Sequence, residues 1–221
     1  MMDFHTHTLL SDGALLPSEL LRRAAVMGYR ALAITDHVDG SNLEQVLAQV
    51  HGFLKSIDRE GGGGGGEPTV LPGVELTHIP PDRIGTAVEA ARGLGAGVVL
   101  CHGETVVEPV APGTNMAAIK AGVDILAHPG LVTAEECIAA AENSVLFEIT
   151  ARSGHCLTNG HVAAMAKKYG VGLVINTDAH GPGDLITEDT ALRIVLGAGL
   201  TKSDYGKIND NSEALLNRAL A

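Results

Sequence analysis

Short apolar runs alternate with longer amphipathic stretches from one end of the chain to the other. Seven runs have strand length: residues 2–5, 31–35, 69–75, 97–101, 125–127, 145–150 and 173–177. Between them apolar positions recur at helical spacing. Residues 17–27 carry Leu20, Leu21 and Ala24 on one face, with Gly28 as a stop. Residues 42–60 set Leu43, Val46, Leu47, Val50, Leu54 and Ile57 on one stripe. Further helices are predicted over 83–94, 114–121, 133–143, 157–169 and 185–196, several closed by glycine, with a last short one over 212–221. Regular alternation of strand and helix predicts an α/β fold with a parallel sheet, closed or doubly wound, in one domain over residues 1–221. The six glycines at 61–66 read as a flexible surface loop. They do not read as a phosphate cradle, because Glu67-Pro68 and a strand follow where such a loop needs a helix N-terminus.

The strand-like runs end in chemistry. Asp3-Phe4-His5-Thr6-His7 closes the first, and the others end on or near Thr35-Asp36-His37, Gly73-Val74-Glu75, Cys101-His102-Gly103, Ala127-His128-Pro129 and Thr177-Asp178-Ala179-His180. A side-chain period of two puts His5 with His7 and Asp178 with His180. Six of the ten histidines (His5, His7, His37, His102, His128 and His180) fall at one end of the strands with Asp12, Glu75 and Asp178. Any one alone reads as an ordinary histidine, but in β/α folds those strand ends converge on one face. Imidazoles and carboxylates together suit borderline divalent metals. Pro129 is expected to hold His128 extended. Asp3 has the parity to accept an imidazole N–H. Glu148 is a candidate for the same role or for a hydrogen bond within the lumen, Asp36 reads as structural or as a support for a ligand, and His51 and His161 read as solvent-facing on helices. His78 and His155 are expected near the active face, as substrate contacts or as rim.

Composition narrows the partners. The net charge is −11, with three Phe, three Tyr and no Trp, so the basic surface and stacking aromatics of nucleic-acid binders are missing and nucleic acid is not the expected partner. No run approaches the ~20 apolar residues that span a bilayer, so no membrane is expected. The three cysteines, Cys101, Cys137 and Cys156, form no C-x-x-C pair. That, with no signal-peptide pattern at the start, leads to the expectation of a cytoplasmic protein. Oligomeric state is not readable.

Taken together, His5-Thr6-His7, Asp12, Ile34-Thr35-Asp36-His37, Pro72-Gly73-Val74-Glu75, His102, His128-Pro129 and Asp178-Ala179-His180 resemble the PHP (polymerase and histidinol phosphatase) superfamily. The resemblance implies a distorted (β/α)7 barrel and a site of two or three divalent ions: zinc, manganese or iron. It places one ion on His5, His7, Glu75 and Asp178, a second on Glu75, His102 and His128, and a third on Asp12, His37 and His180. Some relatives carry His where this chain has Asp12. The implied activity is hydrolysis of a small, histidinol-phosphate-like phosphomonoester by a metal-bridging hydroxide. Glu75, Asp178, His180, Arg152 and His155 are then the candidate catalytic residues. Arg152, and more weakly Arg83, would bind phosphoryl oxygens, unless Arg152 merely partners Glu148. Leaving-group protonation would fall to a metal-bound water, His155 or His180. Alternatives are a phosphodiesterase or nuclease, a promiscuous phosphotriesterase, an amidohydrolase-type enzyme, or a metal-stapled module without activity.

Overall fold

The computed structural model describes residues 1–59 and 67–221, and the glycine run at 61–66 lies outside the described residues. The strands are β1 (Met2–Asp3), β2 (Ala31–Ile34), β3 (His37–Val38), β4 (Thr69–Leu76), β5 (Val98–His102), β6 (Ile125–Ala127), β7 (Leu146–Thr150) and β8 (Leu173–Asn176). The helices are α1 (Pro17–Val26), α2 (Leu43–Arg59), α3 (Ile84–Gly93), α4 (Thr114–Ala121), α5 (Ala134–Glu142), α6 (Asn159–Tyr169), α7 (Glu188–Gly197) and α8 (Lys202–Leu220). All pairings are parallel, in the order β1-β2-β4-β5-β6-β7-β8, with the two-residue β3 continuing the line of β2 along β4. The ring closes where Thr6 bridges Ala179 and the His7 N–H reaches the Ala179 carbonyl at 2.8 Å. The result is the distorted (β/α)7 barrel.

Two apolar layers follow from the period of two. Ala31, Ala33, Leu71, Val98, Leu100, Ile125, Ala127 and Val174 form a lumen cluster with Phe4. Their neighbours in sequence, such as Leu32, Ile34, Val99, Cys101, Leu126 and Ile175, pack outward against the helices. Cys101 is thus a core residue, turned away from the lumen. β4 approaches its neighbours too closely for a side chain at Gly73, whose Cβ would sit 2.7 Å from Thr35 Cγ2 and 2.9 Å from the Val98 carbonyl oxygen.

Three elements differ from the sequence expectation. β1 ends at Asp3 rather than at residue 5, because side chains take over from the ladder: Asn176 Oδ1 accepts from Phe4 N at 2.9 Å and Asp3 Oδ1 from His5 N at 3.3 Å. The 3-10 turn His155–Thr158 precedes α6. The tail helix is nineteen residues long, not ten, because Thr201 and Asp204 form a capping box that starts it at Lys202. Its buried Leu215 and Leu216 join the lumen cluster and close the barrel at the N-terminal ends of the strands. Among the described residues no helix is long and apolar enough to cross a membrane.

Candidate metal centre

The alternation that fills the lumen with apolar side chains also delivers polar ones to its C-terminal mouth. Leu71, Gly73 and Glu75 share a face, as do Val98, Leu100 and His102, and Val174, Asn176 and Asp178. Three other histidines, His5, His7 and His128, need a break in the pattern. Phe4 points into the lumen, so only a chain that leaves the ladder after Asp3 can turn His5 and His7 inward. Ala127 is a lumen residue as well, and strict alternation would send His128 outward. His128 instead has φ of +28°, not the extended backbone expected before Pro129, and the Glu148 carboxylate accepts its N–H at 3.0 Å. Asp178 also has positive φ, +52°. Left-handed backbone at non-glycine residues costs ~1–3 kcal/mol each and collects at functional sites.

At the mouth, carboxylate oxygens and imidazole nitrogens face one another. His5 Nε2 lies 3.2 Å from Glu75 Oε2, and His7 Nε2 lies 3.2 Å from Asp178 Oδ1 and 3.5 Å from Glu75 Oε2. His128 Nε2 is 3.4 Å from Glu75 Oε1. Beside them, Asp12 Oδ1 is 3.3 Å from His180 Nε2, 3.7 Å from His37 Nε2 and 4.0 Å from His7 Nδ1. Several rings have their donor nitrogen committed. His5 Nδ1 meets Glu148 Oε1 at 2.8 Å, His102 Nδ1 the Gly103 carbonyl at 3.2 Å and His180 Nδ1 the Asp178 carbonyl at 3.0 Å. A neutral ring donating from Nδ1 presents a lone pair at Nε2, which is the ligand form.

Among the described residues seven buried atoms lack a well-formed hydrogen bond: His5 Nε2, both ring nitrogens of His7, both Glu75 oxygens, His128 Nδ1 and Asp178 Oδ1. His37 Nδ1, bonded to Thr77 Oγ1, nevertheless comes within 2.8 Å of Glu75 Oε2. Leaving a buried polar atom unsatisfied costs ~1–3 kcal/mol, and folded proteins rarely collect several in one place. The spacings of 3.2–3.5 Å match the ~3.3 Å edges of a coordination sphere with bonds of ~2.0–2.1 Å. The donor set, its spacing and its missing hydrogen bonds therefore fit divalent cations.

The protein groups alone favour positive charge at His5 and negative charge at Glu75. Burial works to lower His5, but Glu148, Glu75 and Asp178 outweigh it and hold the ring well above its usual range. His7 goes well below, because burial and the neighbouring His37, His5 and His180 overcome Glu75. Burial works to raise Glu75, yet His5, His37 and His128 hold it well below the usual carboxylate range, whereas burial pushes Asp178 up to about 6. Glu75 is favoured in its charged form. It lies where four imidazoles meet.

The nine candidate ligands lie around the mouth, but in groupings that differ from those the resemblance implies. His7 sits with Asp12, His37 and His180 as well as with His5 and Glu75, His102 and His128 group with His155 rather than with Glu75, and His5 and His128 group with Glu148. Glu148, fully buried, takes the supporting role for His5. Asp3 does not, since it accepts from His5 N and from the backbone and hydroxyl of Thr177. Asp36 accepts from Thr8 and Ser11 and so ties down the loop that carries Asp12. Arg152 pairs with Asp184 at 3.3 Å rather than with Glu148, whose oxygens are taken by His5, His128 and Asn176. His51 and His161 are not free in solvent: their Nε2 atoms hydrogen-bond the carbonyls of Leu94 and Val132.

A cavity of about 280 Å³ opens over the cluster, lined by Asp12, His37, His78, His102, Glu108, Arg152 and His155 among others. Arg83 is not among its lining residues. A larger cavity of about 420 Å³ lies at the opposite end, between α6, the start of β8 and α8, without clustered ligand-type side chains. Sequence reasoning missed Asp184, which accepts from the N–H groups of His180 and Gly181, and Glu108. Both lie in loops with no strand period to mark them.

A family model described as the PHP domain matches residues 3–168, so Asp178 and His180 lie just past the matched segment. The chain is 47% identical over 203 residues to an uncharacterized protein of Methanocaldococcus jannaschii, covering 91% of each. Among solved structures, a chain in the cryo-EM structure of archaeal Ribonuclease P with mature tRNA gives a TM-score of 0.73 at 17% identity, covering 99% of this chain and 91% of that one. The histidinol phosphate phosphatase of Lactococcus lactis, complexed with zinc, L-histidinol and phosphate, gives 0.60 at 14% identity, covering 90% and 94%. At these identities both likenesses are likenesses of fold.

Proposed function

The chain belongs to the PHP domain family of metal-dependent phosphoesterases, and from that premise we propose that it hydrolyses a small phosphomonoester at the barrel mouth. The observation that carries this reading is the set of seven unpartnered buried atoms gathered under a cavity of about 280 Å³. That volume lies just below the usual range for small-molecule sites, ~300–1,000 Å³.

In this reading two or three divalent ions (zinc, manganese or iron) would be held by His5, His7, Glu75 and Asp178, by His102 and His128 with Glu75 beside His128, and by Asp12, His37 and His180 with His7 beside them. When bound, such ions supply Lewis-acid activation of water and of a phosphoryl oxygen. Glu75, with an oxygen toward His5 and another toward His128, is the residue two ions would share. Glu148 fixes the rotation of His5 and the backbone of His128. Arg152 lines the cavity and is steadied by Asp184, so its planar fork is available to two phosphoryl oxygens of the substrate. Arg152→Ala is expected to raise KM or lower kcat with metal content intact, and a variant changed in neither would remove Arg152 from the site.

The test is a phosphoester panel run on chelator-stripped protein reloaded with Zn²⁺, Mn²⁺ or Fe²⁺. Turnover of histidinol phosphate or p-nitrophenyl phosphate, and not of bis-p-nitrophenyl phosphate, is expected. The fold likeness to a chain in Ribonuclease P with tRNA favours a second reading, action on a nucleic-acid diester. A net charge of −11 and only six aromatic Phe and Tyr residues weigh against it. Preference for the diester would establish that second reading instead.

A further inference from the structure

One group of contacts at the cavity lies outside the ligand set just assigned. Glu108, on the loop between β5 and α4, reaches back over the mouth. Its Oε2 is 3.2 Å from His102 Nε2 and 3.6 Å from His78 Nε2, and its Oε1 is 3.3 Å from His155 Nε2. His102 donates from Nδ1 to the Gly103 carbonyl, so its neutral ring turns a lone pair toward a carboxylate oxygen. Two acceptors at that distance repel unless a proton or a metal ion lies between them. His155 Nδ1 lies 2.8 Å from Thr105 Oγ1, a hydroxyl that can donate or accept, and its ring stacks on His128 with centroids 4.1 Å apart. Ligand atoms of His102, His128 and His155 all lie within 4.8 Å of one another.

We propose that Glu108 and His155 are ligands of the ion held by His102 and His128, so that this ion is gripped by a carboxylate from the loop as well as by strand-end imidazoles. The proposal rests on the metal-centre reading above and extends it. With Glu75 the set numbers five ligands, a coordination zinc adopts on expansion, and the spacings of 3.2 and 3.3 Å suit ligands about an ion with M–N of ~2.0–2.1 Å and M–O of ~2.0–2.2 Å. The side chain of His155 is only 8% exposed, whereas Glu108 is 38% exposed and approaches from the solvent side. The loop is anchored on both sides of Glu108: Asn115 Oδ1 accepts from Glu104 N, and Glu104 Oε1 accepts from the N–H groups of Gly113 and Asn115. Behind it Gly130 leaves the room a side chain would take, its Cβ position falling on the Glu104 carbonyl oxygen. His155 then serves the ion and not the leaving group.

The test measures metal binding, not turnover. Zinc is titrated into the full chain in competition with a chromophoric chelator, bound metal is counted per chain, and the visible spectrum of the Co²⁺-loaded protein is recorded. Wild type is compared with Glu108→Gln and His155→Ala. Each variant is expected to weaken one ion by about 10- to 100-fold while the rest stay bound, and to change the Co²⁺ ligand-field bands. Circular dichroism of the metal-free variants should match wild type. Variants that bind every ion within twofold of wild type, with unchanged Co²⁺ spectra, would overturn this inference alone. A wild-type chain that takes up no metal would overturn the centre on which it depends.

Discussion

Glu148→Gln changes one atom of a side chain that touches no substrate, yet it should loosen the metal centre. The carboxylate is fully buried and accepts three hydrogen bonds, from His5 Nδ1 at 2.8 Å and Asn176 Nδ2 at 2.9 Å on Oε1, and from His128 N at 3.0 Å on Oε2. A glutamine that keeps its oxygen toward His5 and Asn176 turns its NH2 onto the His128 N–H, donor against donor. Leaving one buried donor unsatisfied costs ~1–3 kcal/mol. The loss falls on a residue already held at φ of +28°, so His128 is free to relax away from Glu75. The remaining bond to His5 also becomes neutral, which makes that imidazole a weaker base. Changes of this kind beside a metal ligand typically cost 10- to 100-fold in affinity, or about 1.4–2.8 kcal/mol. Chelator competition with metal counting should find that loss at the ions bound by His5 and His128, and calorimetry a lower Tm for the metal-free variant. A variant with lowered Tm but affinities within twofold of wild type would refute the reasoning and leave Glu148 a purely structural acceptor.

Other perturbations separate the fold from the site. Burial raises Asp3 from 3.8 to about 6, against the hydrogen bonds from Thr177 and His5. Its protonated form is therefore favoured by folding: that stabilisation is complete below pH 3.8 and is lost as pH rises through about 6, up to ~3 kcal/mol in all. In metal-free protein, urea stability between pH 4 and 6.5 should fall less for Asp3→Asn than for wild type; equal slopes would contradict it. A side chain at Gly13 would meet the His7 carbonyl carbon and oxygen at 2.5 Å, so Gly13→Ala should push the Asp12 loop outward. It should cost the ion nearest Asp12, His37 and His180 while circular dichroism stays unchanged, and full metal content would argue against that placement.

Much of this molecule is legible in its sequence where backbone regularity carries the signal. Apart from the two-residue β3, the strands past the first were readable because a closed lumen demands an apolar side chain at every second position. Glu75 and His102 were readable because they continue that row at the mouth, whereas Asp178 lies past the end of β8 with φ of +52°. The misreadings fall where the rule breaks. The parity argument for His5 and His7 assumed a strand that in fact stops at Asp3. Pro129 suggested an extended His128, but a positive φ is what brings its ring inward. The closing helix looked short because its first turns, Lys202–Gly206, carry little apolar periodicity and start from a polar capping box. Glu108 and Asp184 act from loops, where neither spacing nor periodicity marks a residue, and only tertiary structure brings them to the cavity.

Anomalous diffraction from crystals grown with Zn²⁺ or Mn²⁺ and measured at the metal's absorption edge tests the metal centre most directly. Separate peaks are expected among His5, His7, Glu75 and Asp178, and beside His102 and His128. A map with no peak at the barrel mouth, or with metal bound only elsewhere on the surface, would contradict the site and the phosphoester chemistry drawn from it.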